Sequence, residues 1–293
     1  EIALEDCYEE DGTKDKDFSV YHVPVTENIK RLPDGYVENL HRILRTDPIE
    51  KRRLIDGEWV DRPTGESLFK DYFVPANHVK GDPLRGTGLL PVKGFPITVG
   101  YDLGQVYSSI SFMQMIPTQD KTLWIIFDEM DYLGVRHLYK RLAQEVNRRM
   151  DYWNKKLDYD FRYEHISDDS AINQWHPGGE GSYDSWDFER FSEGRIKMIG
   201  CPKGKGSVEA RIRLLQTKLF NDEVYVSGLC RFTIDMLHNL ESDKKTPSKP
   251  RRSKYIHKFD AVTYPMLKLE LNGMRNTLQT DTSRSRLTHC GRA

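Results

Sequence analysis

The chain has 293 residues, enough for one large domain or two smaller ones, and its 44 Lys and Arg offset 45 Asp and Glu to a formal charge of -1. That balance excludes a global positive field, so a nucleic-acid role would have to rest on local basic patches. No apolar run reaches the roughly 18–20 residues of a membrane helix, and the acidic opening EIALEDCYEEDGTKDKDF lacks the apolar stretch of a signal peptide.

Residues 1–20 are charged, without an apolar period, and are expected to be flexible. FSVYHVPV (18–25) alternates as a short strand does. LPDGYVENLHRIL predicts a turn into a helix with Tyr36, Leu40 and Leu44 on one face. A second short helix is expected after TDP, with Pro48 at its first position. The Gly- and Pro-rich stretch 75–96 marks the expected boundary between a linker segment, 1–93, and a main domain, 94–275. Three strands follow at 97–102, 109–116 and 123–128, joined by links short enough for antiparallel neighbours. Val135, Leu138, Leu142 and Val146 set a helical period to about Met150. A fourth strand is expected at 161–167, a loop at 176–185 and a fifth strand at 195–199. Ser207 is placed to cap a helix carrying Val208, Ile212, Leu215 and Leu219 on one face. An extended segment EVYVS, a helix at 233–240, a basic loop and a last helix at 256–271 complete the domain, with 276–293 read as a flexible tail. The order predicts an α/β domain around a mixed sheet. The four cysteines form no CxxC or zinc-spaced cluster and read as free thiols in a reducing compartment. Trp175 and Trp186 read as core or loop anchors.

Three acids stand where an element delivers a side chain to a sheet edge: Asp102 closing the first strand, Asp168 closing the fourth with Asp169 beside it, and Asp260 early in the last helix. Converged carboxylates repel one another unless hard cations neutralise them, and oxygen ligands suit Mg²⁺ or Mn²⁺. Two such ions about 3.5–4 Å apart can bind the attacking and leaving oxygens of a phosphoryl displacement. Any one of these residues alone is more often a turn former or helix cap than a ligand. Glu129, in IIFDEMDY, reads equally as a fourth acid or as a solvated residue past a strand end.

In order along the chain, ITVGYDLG…SSISFMQ, LWIIFDEMDYLG, HISDDSA, KGKGSVEARIRLLQ and HKFDAVTYPM resemble the nuclease domain of the large terminase subunit of tailed bacteriophages, within the ribonuclease H-like superfamily. Upstream, VPVTEN, LPDGYVENL, RRLIDGEWV and GESLF resemble the segment that ends the packaging ATPase in those proteins. The resemblance runs from about Phe18 to Leu271. It implies a ribonuclease H-like mixed central sheet flanked by helices, behind a small, mostly helical N-terminal linker that is a remnant of the ATPase region. It also implies that Asp102, Asp168 and Asp260 are the metal-binding carboxylates, holding Mg²⁺ or Mn²⁺, two ions in all. In the family pattern Pro follows the second acid; here Asp169 takes that position. Asp168 and Asp169 are therefore both candidates, with the register of DSA favouring Asp168.

The resemblance further implies an endonuclease that cuts concatemeric double-stranded DNA during viral genome packaging. Its partners would be the small terminase subunit, the portal and a packaging ATPase domain, and its place the host cytoplasm at the procapsid portal, with no membrane association. The chain carries no GxxxxGK[ST], so no ATPase activity is expected of it alone. Lys203 and Lys205, with Lys249, Arg251, Arg252 and Lys254 in the loop before the last helix, are the candidate DNA-phosphate contacts. Lys244 and Lys245 extend that loop's charge, and Arg148, Arg149, Lys155 and Lys156 form another basic patch, in which the helix-borne Arg148 and Arg149 read rather as a solvated face. The alternatives are another ribonuclease H-like enzyme, such as a resolvase or transposase, and a non-catalytic portal- or DNA-docking module.

Overall fold

The computed structural model describes residues 25–44, 51, 54–57, 67–104, 107–133, 139–173 and 184–287. Contacts divide the chain into two compact units, Glu1–Pro63 and Thr64–Ala293. In the first, a 3₁₀ turn (Val25–Arg31) precedes helix α1 (Tyr36–Ile43), which starts at Gly35 in a left-handed conformation, φ 73°. The expected helix is present, but its most buried residue is Val37, whereas Tyr36 is exposed. The strand expected over 18–25 falls, up to residue 24, outside the described residues, as does most of the helix expected after Pro48.

In the second unit, a short helix α2 (Pro75–His78) leads into strand β1 (Val79–Lys80). Then follow β2 (Ile97–Asp102), β3 (Tyr107–Pro117), β4 (Thr122–Leu133), helix α3 (Tyr139–Leu157) and β5 (Tyr163–Asp168). Helices α4 (Ser170–Asn173) and α5 (Asp184–Phe191), strand β6 (Met198–Cys201) and helix α6 (Ser207–Phe220) come next. Strand β7 (Val224–Ser227) and helices α7 (Arg231–Asn239) and α8 (Tyr255–Leu287) close the unit. The strands form one sheet in the order β1-β7-β4-β3-β2-β5-β6. The meander β2-β3-β4 is antiparallel, and β5, β6, β7 and β1 join it in parallel. A three-stranded meander extended by parallel strands, with helices on both faces, is the ribonuclease H-like arrangement.

The pleat of β2 separates the two faces. Ile97, Val99 and Tyr101 enter one core with Leu142, Val146, Met150 and Trp153 of α3 and Phe188 of α5. The opposite face carries a second core, where Met113, Trp124, Val224 and Val226 meet Ile212, Leu215 and Leu219 of α6 and Phe259, Val262 and Met266 of α8. Val92, within the segment placed with the linker by sequence, bonds to the sheet: Gln114 of β3 donates to its carbonyl, and to that of Phe95 just beyond, both at 3.0 Å.

Several elements differ from expectation. Helix α5 begins where a loop was expected, Asp184 and Ser185 being buried in its first turn. Ser207 does not cap α6; that place is taken by Gly206, φ 84°, without a side-chain cap bond. The last helix runs on to Leu287 through residues expected as a tail. Trp186, read as a core or loop anchor, lies on α5 and is 60% exposed, so the core alternative does not hold, while Trp175 lies outside the described residues. Cys201 and Cys230 are free and buried.

Below the first core, His165 of β5 is 3% exposed. Burial keeps the Tyr101 phenol protonated, and its hydroxyl is hydrogen-bonded to His165 Nδ1 at 2.7 Å, while His165 Nε2 has no partner. Burial, helped by the Arg195 charge, lowers the His165 pKa to about 4. An unfolded histidine titrates near 6.5, so the unfolded chain takes up this proton first and stability falls as pH drops through that window. The loss amounts to about 2–3 kcal/mol between pH 7 and 4.5. Denaturant titrations at the two pH values should show a smaller loss for His165→Gln than for the wild type; equal losses would contradict this assignment.

Candidate active site

Strand register brings the first two acids together. β2 pairs with β5 in parallel up to Gly100 opposite Ile166, and two residues further each strand ends in an aspartate, Asp102 and Asp168. Both carboxylates emerge on the face covered by α8, because Asp102 shares the pleat side of Thr98 and Gly100. Helix α8 then supplies Asp260, and it lies very close to the strand. A Cβ built on Gly100 would come within 2.0 Å of the Ala261 carbonyl oxygen and 2.5 Å of Pro265 Cγ. Pro265 has no N–H to give the carbonyl four residues earlier, which is that of Ala261. Glycine on the strand and proline on the helix thus allow the contact that carries Asp260 to the other two acids.

Each acid is held by a basic side chain. His257, one helical turn before Asp260, places Nδ1 2.6 Å from Asp102 Oδ2, and the Tyr107 ring stacks parallel to it at 5.3 Å. Lys203 pairs with Asp168 Oδ2, which also accepts from Ser170 Oγ at 2.7 Å, while Asp168 Oδ1 accepts from the Ala171 N–H at 3.0 Å. Arg211 of α6 pairs with Asp260 Oδ1. Asp169 turns elsewhere, its Oδ2 accepting from the Lys203 backbone N–H at 3.2 Å.

The titration of these groups records a shared field. Burial raises the Asp102 pKa to about 6; the hydrogen bond to His257 opposes the rise, and the charges of Asp260 and Asp168 add to it. His257 is raised in turn, chiefly by its bond to Asp102, against the effect of burial. Burial alone would raise Asp168, but the bonds from Lys203 and Ser170, the Lys203 charge and the Ala171 N–H outweigh it and hold the carboxyl below its usual value.

Glu129 stands apart from this group. Its carboxylate accepts from the N–H groups of Phe232 and Thr233 and from the Thr233 hydroxyl, at 2.7–3.0 Å, closing the N-terminus of α7. Fully buried Lys258 lies 3.5 Å from Glu129 and 2.8 Å from Asp131, and donates to the Ile110 carbonyl at 3.1 Å. Of the basic residues, Lys203 is engaged at Asp168, Arg251 pairs with Glu241 at 2.8 Å, and Lys254 lies 5.0 Å from the centroid of the Tyr255 ring. Lys205, Lys249 and Arg252 are exposed. Arg148 pairs with Glu145 on the exposed side of α3, whereas Arg149 reaches Asp128, a mostly buried residue of β4, and so departs from a purely solvated helix face.

Among the described residues, no group of three His, Cys, Asp or Glu side chains stands ready to hold a metal ion. The donor chemistry nevertheless suits a hard divalent cation. All three donors are carboxylate oxygens, two of which raise the pKa of the third. Lys203 and His257 have 44% and 31% of their side chains exposed, so both can turn away from their acids. Sequence reading missed His257 and Arg211. The first signals itself by its spacing three residues before Asp260, on the same helical face; the second is a charge within the apolar stripe Val208–Ile212–Leu215 of α6.

No protein-family model and no curated protein matches the chain. Solved structures do match its fold. The large terminase from the thermophilic bacteriophage D6E aligns with a TM-score of 0.56 at 19% identity, over 86% of this chain and 54% of that one. The same terminase in complex with ATP-gamma-S gives 0.55 at 19% identity, over 83% and 54%. The chain therefore spans about half the length of the terminase it matches, and the likeness is one of fold. The fold and site define a ribonuclease H-like α/β domain with three electrostatically coupled carboxylates at one end of its sheet. That fold is shared with the large terminase of the thermophilic bacteriophage D6E, in agreement with the sequence blocks.

A methyl group at Gly100 would meet backbone on α8, so Gly100→Ala should destabilise the chain by about 1–3 kcal/mol. It should also weaken the coupling of Asp260 to Asp102. Chemical denaturation, with the Asp102 titration followed by carboxyl NMR, reads both effects, and an unchanged midpoint and titration would refute the close-contact argument.

Proposed function

We propose that this chain is the nuclease part of a large terminase subunit, a metal-dependent endonuclease that cuts concatemeric double-stranded DNA during viral genome packaging. The observation that carries this reading is the convergence of Asp102, Asp168 and Asp260, from two neighbouring strands and one helix, into a single electrostatic field. The fold shared with the phage D6E terminase supports it.

Asp102, Asp168 and Asp260 would hold the divalent cations, two Mg²⁺ or Mn²⁺ ions, with Asp169 and Glu129 outside that set. Such ions, when bound, stabilise negative charge on the attacking and leaving oxygens of a phosphodiester. The protein contributes position and proton handling. The parallel register of β2 and β5 fixes two of the acids and α8 fixes the third. His257, bonded through Nδ1 to Asp102 and stacked on Tyr107, sits where it can hold a proton beside the reacting phosphate. Lys203, once released from Asp168, becomes a phosphate contact at the mouth of the site, and Lys205, Lys249, Arg251, Arg252 and Lys254 extend the backbone contacts. Residues 1–93 would be the linker and the end of the ATPase region. The small terminase subunit, the portal and the ATPase domain would direct where cutting occurs, in the host cytoplasm at the procapsid.

A second reading, a portal- or DNA-docking module without catalysis, draws on the pairing of every acid with a protein cation. Nicking of supercoiled plasmid with Mn²⁺ or Mg²⁺ separates the two. The enzyme reading expects cutting that is abolished by chelator and reduced about a hundredfold or more in Asp102→Ala and in Asp260→Ala. Wild type and variants that are folded and equally inert would establish docking instead. For DNA binding, Lys249→Ala with Arg252→Ala should lower the slope of log affinity against log salt by about 2; an unchanged slope would remove that loop from the interface.

A further inference from the structure

The three basic side chains that hold the acids differ in one respect that bears on cation binding. Arg211 is 3% exposed and buried inside the second core, where its guanidinium carbon lies 4.3 Å from the Tyr264 ring centroid and 5.1 Å from that of Phe259. One terminal nitrogen donates to Asp260 Oδ1 and, at 3.0 Å, to Thr263 Oγ1. Its Nε is buried without a hydrogen-bond partner, so the pair with Asp260, the Thr263 bond and the two rings fix the side chain. Lys203 and His257 can exchange their acids for water, whereas Arg211 has no solvent to turn to. Leaving Asp260 would strand its charge among aromatic rings.

We infer that Arg211 is a positioning residue. It acts as a permanent counter-ion that leaves Asp260 one available oxygen and makes it a weaker attractor of divalent cations than Asp102 or Asp168. The inference rests on the nuclease reading above and adds a ranking of its three ligands. Asp102 and Asp168 dominate capture of the cation, and Asp260 contributes mainly orientation.

Isothermal titration of the metal-free, 293-residue chain with MnCl₂, in the absence of DNA, tests it. Arg211→Gln keeps an amide donor but removes the charge, and should lower the Mn²⁺ dissociation constant about tenfold. Arg211→Lys, which keeps the charge, should stay near the wild type. In an Asp260→Asn background the gain from Arg211→Gln should be clearly smaller, because the substitution then frees no carboxylate oxygen. If Arg211 only braced α6 against α8, Arg211→Gln would weaken Mn²⁺ binding or leave it unchanged, alike in both backgrounds, and that result overturns the inference. Should Arg211→Gln fail to fold by circular dichroism and gel filtration, single Asp→Asn variants carry the test. Asp260→Asn should raise the dissociation constant by about tenfold less than Asp102→Asn or Asp168→Asn; equal losses overturn the ranking. A wild type that binds Mn²⁺ without this ranking refutes the inference alone. A wild type that binds no Mn²⁺ refutes the nuclease reading together with it.

Discussion

The candidate site depends on how closely helix α8 lies against strand β2. At Gly100 there is no room for a side chain, because the Ala261 carbonyl and the Pro265 ring fill that space. The helix is pinned a few residues earlier by Lys258, whose ammonium reaches Asp131 and the Ile110 carbonyl from full burial. With the helix seated at these two points, His257 and Asp260 fall on either side of the pin, facing the ends of β2 and α6. A buried lysine satisfied by strand groups is costly to displace. It therefore sets the register of α8 as firmly as an apolar contact would, and with more directionality.

The second constraint is charge. Three carboxylates at a sheet end would destabilise the fold without compensation, and the protein supplies it with a lysine, a histidine and an arginine of very different accessibility. Compensation by exposed cations is reversible, whereas compensation by a buried one is built in. The same region can thus fold with its acids paired and still present carboxylate oxygens to a cation when the exposed partners leave. This division links the stability of the sheet end to its proposed chemistry, because the groups that stabilise the acids also limit which of them can bind an ion.

Much of this was legible in the sequence, for identifiable reasons. The strands of the meander announced themselves by alternation and by turns too short for anything but antiparallel pairing. Asp102 and Asp168 were legible as strand ends. That their strands are neighbours was not, because parallel pairing across the long α3 crossover leaves no local mark. Glu129 was ambiguous for a related reason. An irregularity in the β3–β4 register sets Met113 opposite Ile126 and Phe112 opposite Asp128, so Phe127 is skipped. Beyond it, Glu129 and Asp131 turn to the face of α7 and α8, where Lys258 meets them. Helix α5 escaped notice because the Gly-rich run before it drew the loop reading onto its first turn. Arg211 escaped because it sits on an otherwise apolar helix face, where a charge has meaning only once its partner is known.

The most direct test of the account is anomalous diffraction from crystals soaked in manganese. The account predicts manganese bound between Asp102, Asp168 and Asp260, with Lys203 turned away from Asp168 and Arg211 still on Asp260. Diffraction with no manganese at these three residues, and Lys203, Arg211 and His257 all remaining on their acids, would contradict it.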